Sequence, residues 1–283
     1  MILLNSRDIE QDLIGLLQAA QLKIDSEVSF RDKTDKAKSL WKNKNREEFD
    51  RIRQHLNTIS VSEGLCNYCE NNEAIDIEHI WPKSFFPGKC FIWVNYLLAC
   101  KKCNTHHKLD RFAIFINGNV YVLPRKTEPA NFDSVMIDPR SENPLDYLTL
   151  DIKEKTLLFV PSSVDTSSRE YKRAQYTIDL LDLNRERLAK ARLKKAKWYL
   201  NQLKKYNRIK QSTNISDIKN EFSELDMIEG ENLNDIKQNS LNIIKIEITS
   251  SSHITVWEEL KRQKDHLKNT KREFSLSLEA MNW

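Results

Sequence analysis

The chain has 283 residues, of which 40% are apolar and 30% are charged, and its formal net charge is +4. This composition excludes an intrinsically disordered chain, and the length allows one large or two modest domains. No apolar run approaches the roughly 20 residues of a membrane span, and the start lacks the pattern of a secretory signal, so we predict a cytoplasmic protein without a membrane segment. The charge is unevenly distributed, because residues 185–210 hold eleven Lys or Arg and one acid.

Two amphipathic patterns open the chain. Apolar residues recur at steps of three and four over about residues 7–26 and again over about 35–56, which predicts two helices. Neither pattern carries groups suited to chemistry. We therefore predict that residues 1–60 form a helical packing segment.

Four cysteines follow in two Cys-x-x-Cys pairs. The first pair is Cys66 and Cys69, and the second is Cys100 and Cys103. Two such pairs can close a tetrahedral site of four thiolates, which is typical of a structural zinc ion. The thirty residues between the pairs exceed the roughly fifteen to twenty of a simple zinc ribbon. The pairs are therefore predicted to hold the ends of an inserted loop, and Cys90 is predicted to be a small buried thiol.

The inserted loop carries groups suited to phosphodiester hydrolysis. His79 is a candidate general base, because a neutral imidazole with a pKa near ~6.5 can take a proton from water at neutral pH. Glu78 and Asn104 offer hard oxygen ligands for Mg²⁺ or Mn²⁺. Asn95 can orient the loop or the imidazole through its amide, and an ordinary turn residue explains it as well. A purely structural zinc module without catalysis is the alternative for the whole window.

A helix is predicted to begin near Cys103. His107 lies three residues after Asn104, so we expect the two side chains to share a face. There His107 would complete the catalytic metal site or contact phosphate with Lys108, while a plain surface position is the alternative. Aromatic residues crowd the loop and predict a small hydrophobic core rather than a surface for stacked bases. They are Trp81, Phe85, Phe86, Phe91 and Trp93.

The predicted order around these residues is strand, loop, strand and helix. Residues 74–77 favour a strand that places His79 at its end, prolines 82 and 87 favour a loop, and the apolar run 91–98 returns to the second cysteine pair. A ββα-metal module has this order of elements. We therefore predict an α+β, mostly helical fold with a ββα-metal module and a four-Cys zinc site embedded among helices.

The rest of the chain is predicted to be two hairpins followed by mostly helical structure. Asn117-Gly118 between alternating apolar residues predicts the first hairpin, and residues 147–160 the second. A helix capped by Ser167 or Ser168 is expected next, then the basic helix, whose apolar stripe is predicted to be Ala189, Leu193, Ala196, Leu200 and Leu203. Leu241–Thr249 is predicted to be a strand, because β-branched residues alternate there. A final helix is expected over 256–274.

Within the cysteine window the sequence resembles the HNH endonucleases. The three motif positions fall on His79, Asn95 and Asn104, and Asn is common at the third position in members with cysteine pairs. More narrowly, the window is similar to bacterial anti-phage HNH proteins of the Septu type (PtuB-like), which also occur with retrons. The stretches that carry this similarity are Cys66–Glu70, Ile77–Ser84, Trp93–Cys100 and Cys103–Asn104, with weaker likeness through Ile137–Pro139 and Asn143–Pro144 to Arg192.

The resemblance implies a DNA endonuclease that acts as the effector of an anti-phage defence system. It also implies an ATPase partner subunit (PtuA-like) and a hetero-oligomer, and the chain has no Gly-rich phosphate loop of its own. By this resemblance His79 is the catalytic base, Asn95 the loop amide, and Glu78 and Asn104 the ligands of the catalytic metal. A non-catalytic, zinc-stabilised adaptor for nucleic acid or a partner, and the same chemistry on RNA, are the alternatives.

Three segments follow from these predictions. Residues 1–60 are helical, 61–165 hold the nuclease module with appended hairpins, and 166–283 form a mostly helical, partly basic region for docking. The basic helix at 185–210 suits DNA, an acidic partner surface or a plain solvated face, and the sequence leaves these open.

Overall fold

The computed structural model describes residues 1–4, 8–60, 62, 64–223 and 228–283. In this part of the chain, α-helices predominate and the strands form three two-stranded sheets, which confirms the mostly helical α+β class. No helix in the same part is both long and apolar enough to cross a membrane.

The chain divides into two compact units. The first comprises Met1–Thr149 and Phe159–Arg185, and the second comprises Leu150–Leu158 and Glu186–Trp283. The boundaries predicted near residues 60 and 165 both lie inside the first unit, which also contains the cysteine window.

Three helices open the first unit. They are α1 (Gln11–Asp25), α2 (Phe30–Lys42) and α3 (Arg46–Ile59). The pattern over 35–56 therefore covers two helices rather than one, and the predicted start of the first helix at residue 7 lies outside the described residues. The break has a local cause, because the Asn45 side chain accepts hydrogen bonds from the backbone N–H groups of Glu47 and Glu48 and so begins α3.

Short antiparallel hairpins follow. Strand β1 (Asp76–His79) pairs with β2 (Tyr96–Ala99), so that Asp76 faces Ala99 and His79 faces Tyr96. Strand β3 (Ala113–Ile116) pairs with β4 (Asn119–Val122), which confirms the predicted hairpin. Its turn residues, Asn117 and Gly118, have φ values of 51° and 75°, as a type I′ turn requires.

The second predicted hairpin is also present. Strand β5 (Leu148–Leu150) pairs with β6 (Phe159–Pro161). Helix α4 (Arg169–Leu180) then packs against β6, and Ser168 caps it by accepting a hydrogen bond from the backbone N–H of Tyr171.

The second unit is helical. Its helices are α5 (Glu186–Gln211), α6 (Ile215–Lys219), α7 (Leu233–Thr249), α8 (Ile254–Arg262) and α9 (Lys268–Leu276). The strand predicted at Leu241–Thr249 is wrong, because these residues form the second half of α7. Ile236, Ile244 and Ile248 are buried at multiples of four residues, and packing against α5 overrides their local β-preference. The predicted final helix is broken near Gln263 into α8 and α9.

Helix α5 confirms the predicted basic helix, with a different buried face. The predicted stripe is correct at Ala196 and Leu203, whereas the other predicted positions are only half-buried. Leu188, Arg192 and Tyr199 take their place, and the Arg192 guanidinium is buried because it donates a 2.7 Å hydrogen bond to the backbone oxygen of Leu157.

Candidate functional site

The four paired cysteines converge on one point. The sulfur atoms of Cys66, Cys69, Cys100 and Cys103 all lie within 4.8 Å of one another, and all four residues are buried free thiols. The Cys69 and Cys100 sulfurs are 3.9 Å apart. A tetrahedral site with Zn–S bonds of ~2.3 Å has sulfur–sulfur edges of about 3.8 Å, so this cluster can hold a zinc ion.

Donor groups surround the sulfur atoms and suit thiolate ligands. The backbone N–H of Cys103 and the side-chain amide of Asn72 lie 3.5 Å and 3.7 Å from Cys100 Sγ. The Arg185 guanidinium lies 4.0 Å from Cys103 Sγ. Hydrogen bonds from Cys103 and Cys66 lower the pKa of Cys100, whereas burial raises the pKa of Cys66. The N–H donors therefore favour negative charge on the Cys100 sulfur, whereas burial opposes it at Cys66.

The hairpin of β1 and β2 brings the cysteine pairs together. The backbone N–H of Asn67 donates to Leu98 O at 3.0 Å, which ties the first pair to β2 directly before the second pair. The chain around the first pair forms a tight turn, in which the backbone N–H of Cys66 donates to Asn72 O at 2.9 Å. Thirty intervening residues thus do not prevent a compact cluster.

His79 lies at the other end of β1, with its ring fixed on several sides. Its Nε2 is 2.9 Å from the backbone oxygen of Cys90, and a carbonyl oxygen can only accept, so Nε2 carries the proton and Nδ1 keeps its lone pair. The rings of Trp41 and Tyr96 meet the imidazole edge to face, with centroids at 4.2 Å and 5.2 Å. Burial, followed by the charge of Lys83, lowers the pKa of His79 well below its usual value, which keeps the imidazole neutral.

Glu78 forms a buried ion pair that the sequence did not predict. Its Oε1 is 2.6 Å from the ammonium of Lys108, and the two side chains are 4% and 0% exposed. Lys108 also donates a 2.7 Å hydrogen bond to the backbone oxygen of His79. Burial raises the pKa of Glu78, and the charge of Lys108 opposes that effect. Lys108 therefore binds both residues of the Glu78-His79 pair at once.

Asn104 and His107 lie on a π-helix over Lys102–Lys108, marked by the hydrogen bond from Leu109 N to Asn104 O. A π-helix turns less per residue than an α-helix, so a three-residue step no longer aligns side chains. Asn104 donates to Asp76 Oδ2 at 3.1 Å, whereas His107 Nε2 lies 3.7 Å from Asp182 Oδ2. The two side chains therefore contact different carboxylates rather than sharing a face, and the metal role of His107 stays a prediction.

Asn95 holds the loop between the strands. Its Oδ1 accepts from the backbone N–H of Trp81 at 2.8 Å, and its Nδ2 donates to the backbone oxygens of Trp81 and Lys89 at 3.1 Å and 2.8 Å. The residue is buried. These side-chain hydrogen bonds therefore join the two parts of the loop backbone around Trp81 and Lys89.

A cavity of about 520 Å³ opens beside these groups. Glu78, His79 and Asn104 all line it, together with Trp41 and Lys83. His107 is not among the described residues that line it. The cavity thus brings together three of the predicted site residues, with the cysteine cluster at the far end of the same hairpin.

The expected aromatic core is present around the loop. Phe85, Phe86 and Phe91 are buried, and Trp81 packs on Phe86 with ring centroids 4.9 Å apart. Cys90 is buried as predicted.

The partners of the site residues were not predicted from the sequence. Lys108 lies on the helix that was predicted to hold Asn104, but no local pattern in the sequence predicted that its side chain would be buried. Trp41 lies in α2, which was predicted to have only a packing role. Asp76 starts β1 and binds Asn104 across 28 residues of chain, a pairing that depends on the fold.

No family model and no solved structure matches this chain. Among curated proteins, it is similar to Septu protein PtuB of Bacillus mycoides (strain KBAB4), with 25% identity over 151 residues. The match covers 47% of this chain and 48% of that protein, so the chain spans about half the length of the curated relative it matches.

Proposed function

We propose that this chain is a metal-dependent endonuclease of the HNH type that hydrolyses phosphodiester bonds of DNA. One observation carries the proposal. His79, Glu78 and Asn104 line a single cavity beside a hairpin whose opposite end is held by four converging cysteines. In this proposal β1, β2 and the π-helix are the ββα-metal module, and the similarity to Septu protein PtuB supports it.

His79 acts as the general base. The hydrogen bond to Cys90 O occupies Nε2, so Nδ1 is the atom that takes a proton from the attacking water. The same hydrogen bond stabilises the imidazolium that forms. Edge contacts from Trp41 and Tyr96 restrict ring rotation, which keeps the lone pair in one direction.

Glu78 and Asn104 are the residues that would hold Mg²⁺ or Mn²⁺. Both residues line the same cavity and carry hard oxygen ligands, and Mg²⁺ is commonly held by one or two carboxylates with several waters, so the donor set fits. When bound, such a cation supplies positive charge to the phosphate oxygens and the leaving group. Lys108 favours the ionised form of Glu78 despite its burial, because its ammonium lies 2.6 Å from the carboxylate.

A plasmid-nicking assay with Mg²⁺ or Mn²⁺ tests this function. We expect His79→Ala to lose about 10²–10⁴-fold in rate, the usual contribution of a general base. His106→Ala is the matched control, because that histidine is exposed on the π-helix. Cleavage by His79→Ala at the wild-type rate would disprove the catalytic assignment.

We further propose that the chain works in an anti-phage defence system with an ATPase partner subunit, as a hetero-oligomer. The similarity to Septu protein PtuB supports this role. Co-expression with the ATPase encoded beside it should yield a stable complex. Protection of cells from phage should require both the ATPase and His79, and protection that persists with His79→Ala would contradict an effector role for cleavage.

A zinc-stabilised adaptor is the second candidate. The observation that favours it is the buried pair of Glu78 with Lys108, because the carboxylate already has a cationic partner within the protein. Binding of nucleic acid or a partner without cleavage under any divalent cation would support the adaptor. Parallel assays on DNA and tRNA separate DNA cleavage from the same chemistry on RNA.

A further inference from the structure

Two cavities in the first unit adjoin each other. The 520 Å³ cavity at His79 shares Lys38, Ser84, Asp110 and Arg125 with a second cavity of about 480 Å³. The shared residues place the two cavities side by side, from His79 to α2 and the segment after β4. We call the two cavities together the α2 groove.

Cations line the α2 groove along its length. Lys83 lies at the His79 end, Lys38 and Arg125 at the junction, and Lys126 at the outer end. In the described part of the chain, Lys38, Lys83 and Lys126 have no carboxylate within ion-pair distance. A concave surface with unneutralised ammonium groups attracts anions.

Lys83 is the most constrained of these cations. Its side chain is half-buried, and its ammonium lies 5.7 Å from the centre of the Trp41 ring. Burial lowers the pKa of Lys83, so the protein alone solvates this charge poorly. An anion in the His79 cavity would restore that solvation.

Three acids line the groove and offset these charges only in part: Glu78 is paired with Lys108, and the other two are paired with exposed arginines. Asp110 lies 3.5 Å from Arg125, whose side chain is 77% exposed, and Asp35 lies 4.0 Å from the exposed Arg31. Exposed pairs of this kind are weak and exchange readily with other anions.

Helix α5 differs from the groove in part: its ion pairs are also largely exposed, but Arg192 and Lys195 are held by neutral partners of the second unit. Many of its cations already have partners within the second unit. The ion pairs are Lys190 with Glu186, Arg208 with Glu221, and Lys210 with Glu279. Lys195 donates to Ser251 Oγ at 2.6 Å. The segment with the highest density of positive charge in the sequence is therefore partly neutralised by its own unit.

We propose that the α2 groove binds the phosphodiester backbone of the substrate strand, with Lys83 on the phosphate at His79 and Lys38, Arg125 and Lys126 on the flanking phosphates. This inference rests on the proposed function, because it takes the His79 cavity to be the site of phosphodiester cleavage. It assigns the substrate track to α2 and the segment after β4, and it removes that role from α5.

The test measures binding without cleavage. The probes are a fluorescein-labelled 20-base-pair DNA duplex and an RNA duplex of the same sequence, in buffer without added Mg²⁺ or Mn²⁺ and without a chelator, which would remove structural zinc, with anisotropy followed over a range of salt concentrations. The variant is Lys38→Glu with Arg125→Glu. Its matched control is Lys194→Glu with Lys197→Glu, which makes the same change in charge on exposed residues of α5.

We expect the groove variant to bind DNA about tenfold more weakly and to lower the slope of log affinity against log salt by about 2, because two phosphate contacts are lost. The α5 control should stay within about twofold of the wild type. Unfolding temperatures of both variants verify that the exposed substitutions leave the fold intact.

Plasmid-nicking assays with Mg²⁺ on the same two variants accompany the binding measurements, and together the outcomes separate this proposal from the proposed function. Affinity lost only in the α5 variant, or no binding of either nucleic acid, overturns the groove. Groove-dependent binding without cleavage supports the groove and contradicts the nuclease. If the groove variant cleaves DNA with an unchanged KM, the nuclease is supported and the groove is contradicted. If binding depends on the groove but is tighter for the RNA duplex, the groove is supported and its substrate is RNA rather than DNA.

Discussion

The four-cysteine cluster and the His79 cavity belong to the same hairpin, but their polar groups are held differently. The cysteine sulfurs converge on one point, and the nearby donors face sulfur. At the cavity, each predicted site residue is bound to another part of the protein: Glu78 to Lys108, Asn104 to Asp76, and His79 to Cys90 O.

This difference separates a closed cluster of potential zinc ligands from an open cavity. A closed site depends on its own ligands, because together they complete the coordination shell. An open cavity exchanges water and ions with solvent, so its polar side chains are kept in place by hydrogen bonds and ion pairs within the protein. Substitutions in each of the two regions test this contrast.

The largest effect is expected from the cysteine cluster. Cys66→Ser should prevent stable folding, because structural zinc contributes ~10–16 kcal/mol of apparent binding free energy in small zinc modules. Metal analysis and thermal unfolding check this. The control is Cys90→Ala, a buried cysteine outside the cluster, which should keep its zinc and a cooperative transition. Similar unfolding temperatures for Cys66→Ser and the wild type would show that the cluster is not a folding element.

The buried ion pair should give the next largest effect. Lys108→Met leaves the Glu78 carboxylate buried without its partner, which should cost about 3–5 kcal/mol in the free energy of unfolding, measured in urea. Lys102→Met, an exposed lysine of the same π-helix, is the control. Adding Glu78→Leu to Lys108→Met should recover much of the loss. A double variant as unstable as the sum of the two single variants would mean that the residues are not coupled.

The loop amide should matter less. Asn95→Ala removes three hydrogen bonds to the loop backbone, at about 1 kcal/mol each, so we expect a loss of roughly 2–3 kcal/mol. The amide proton of Trp81 should then exchange faster with solvent. Asn119→Ala in the β4 strand, where the side chain is exposed, should leave that exchange unchanged. An unchanged Trp81 rate in Asn95→Ala would contradict its positioning role.

The smallest effect is a pH dependence. Burial lowers the pKa of folded His79, so below about pH 6.5 the unfolded chain binds a proton that the folded chain does not. Stability from this residue is present above pH 6.5 and is lost as the pH falls towards the folded pKa. The stability difference between wild type and His79→Gln should therefore shift by up to about 2 kcal/mol, against the wild type, between pH 7 and pH 5.

Urea unfolding of both proteins at each pH measures this shift, and loss of zinc at low pH affects both alike. A constant difference across the range would show that His79 titrates normally in the folded protein, and a neutral buried imidazole would then be ruled out.

Local sequence signals predicted much of the fold. Asn117-Gly118 predicted its hairpin because the turn itself requires a positive φ, and Ser168 predicted a helix start because it caps the next residues. The failure at Leu241–Thr249 has an equally physical origin. β-branched residues favour strands locally, but burial of one face of α7 against α5 decided the helix.

By itself, the sequence determined the convergence of the four cysteines and the hairpin beside Glu78 and His79. These predictions came from residue type and from the short spacing within each Cys-x-x-Cys pair, which are the same in any conformation of the chain. Only the tertiary structure paired Glu78 with Lys108, placed Trp41 on His79, and brought residues of α2 to the cavity. These contacts join distant segments, so their free energy depends on how the helices pack rather than on any local pattern.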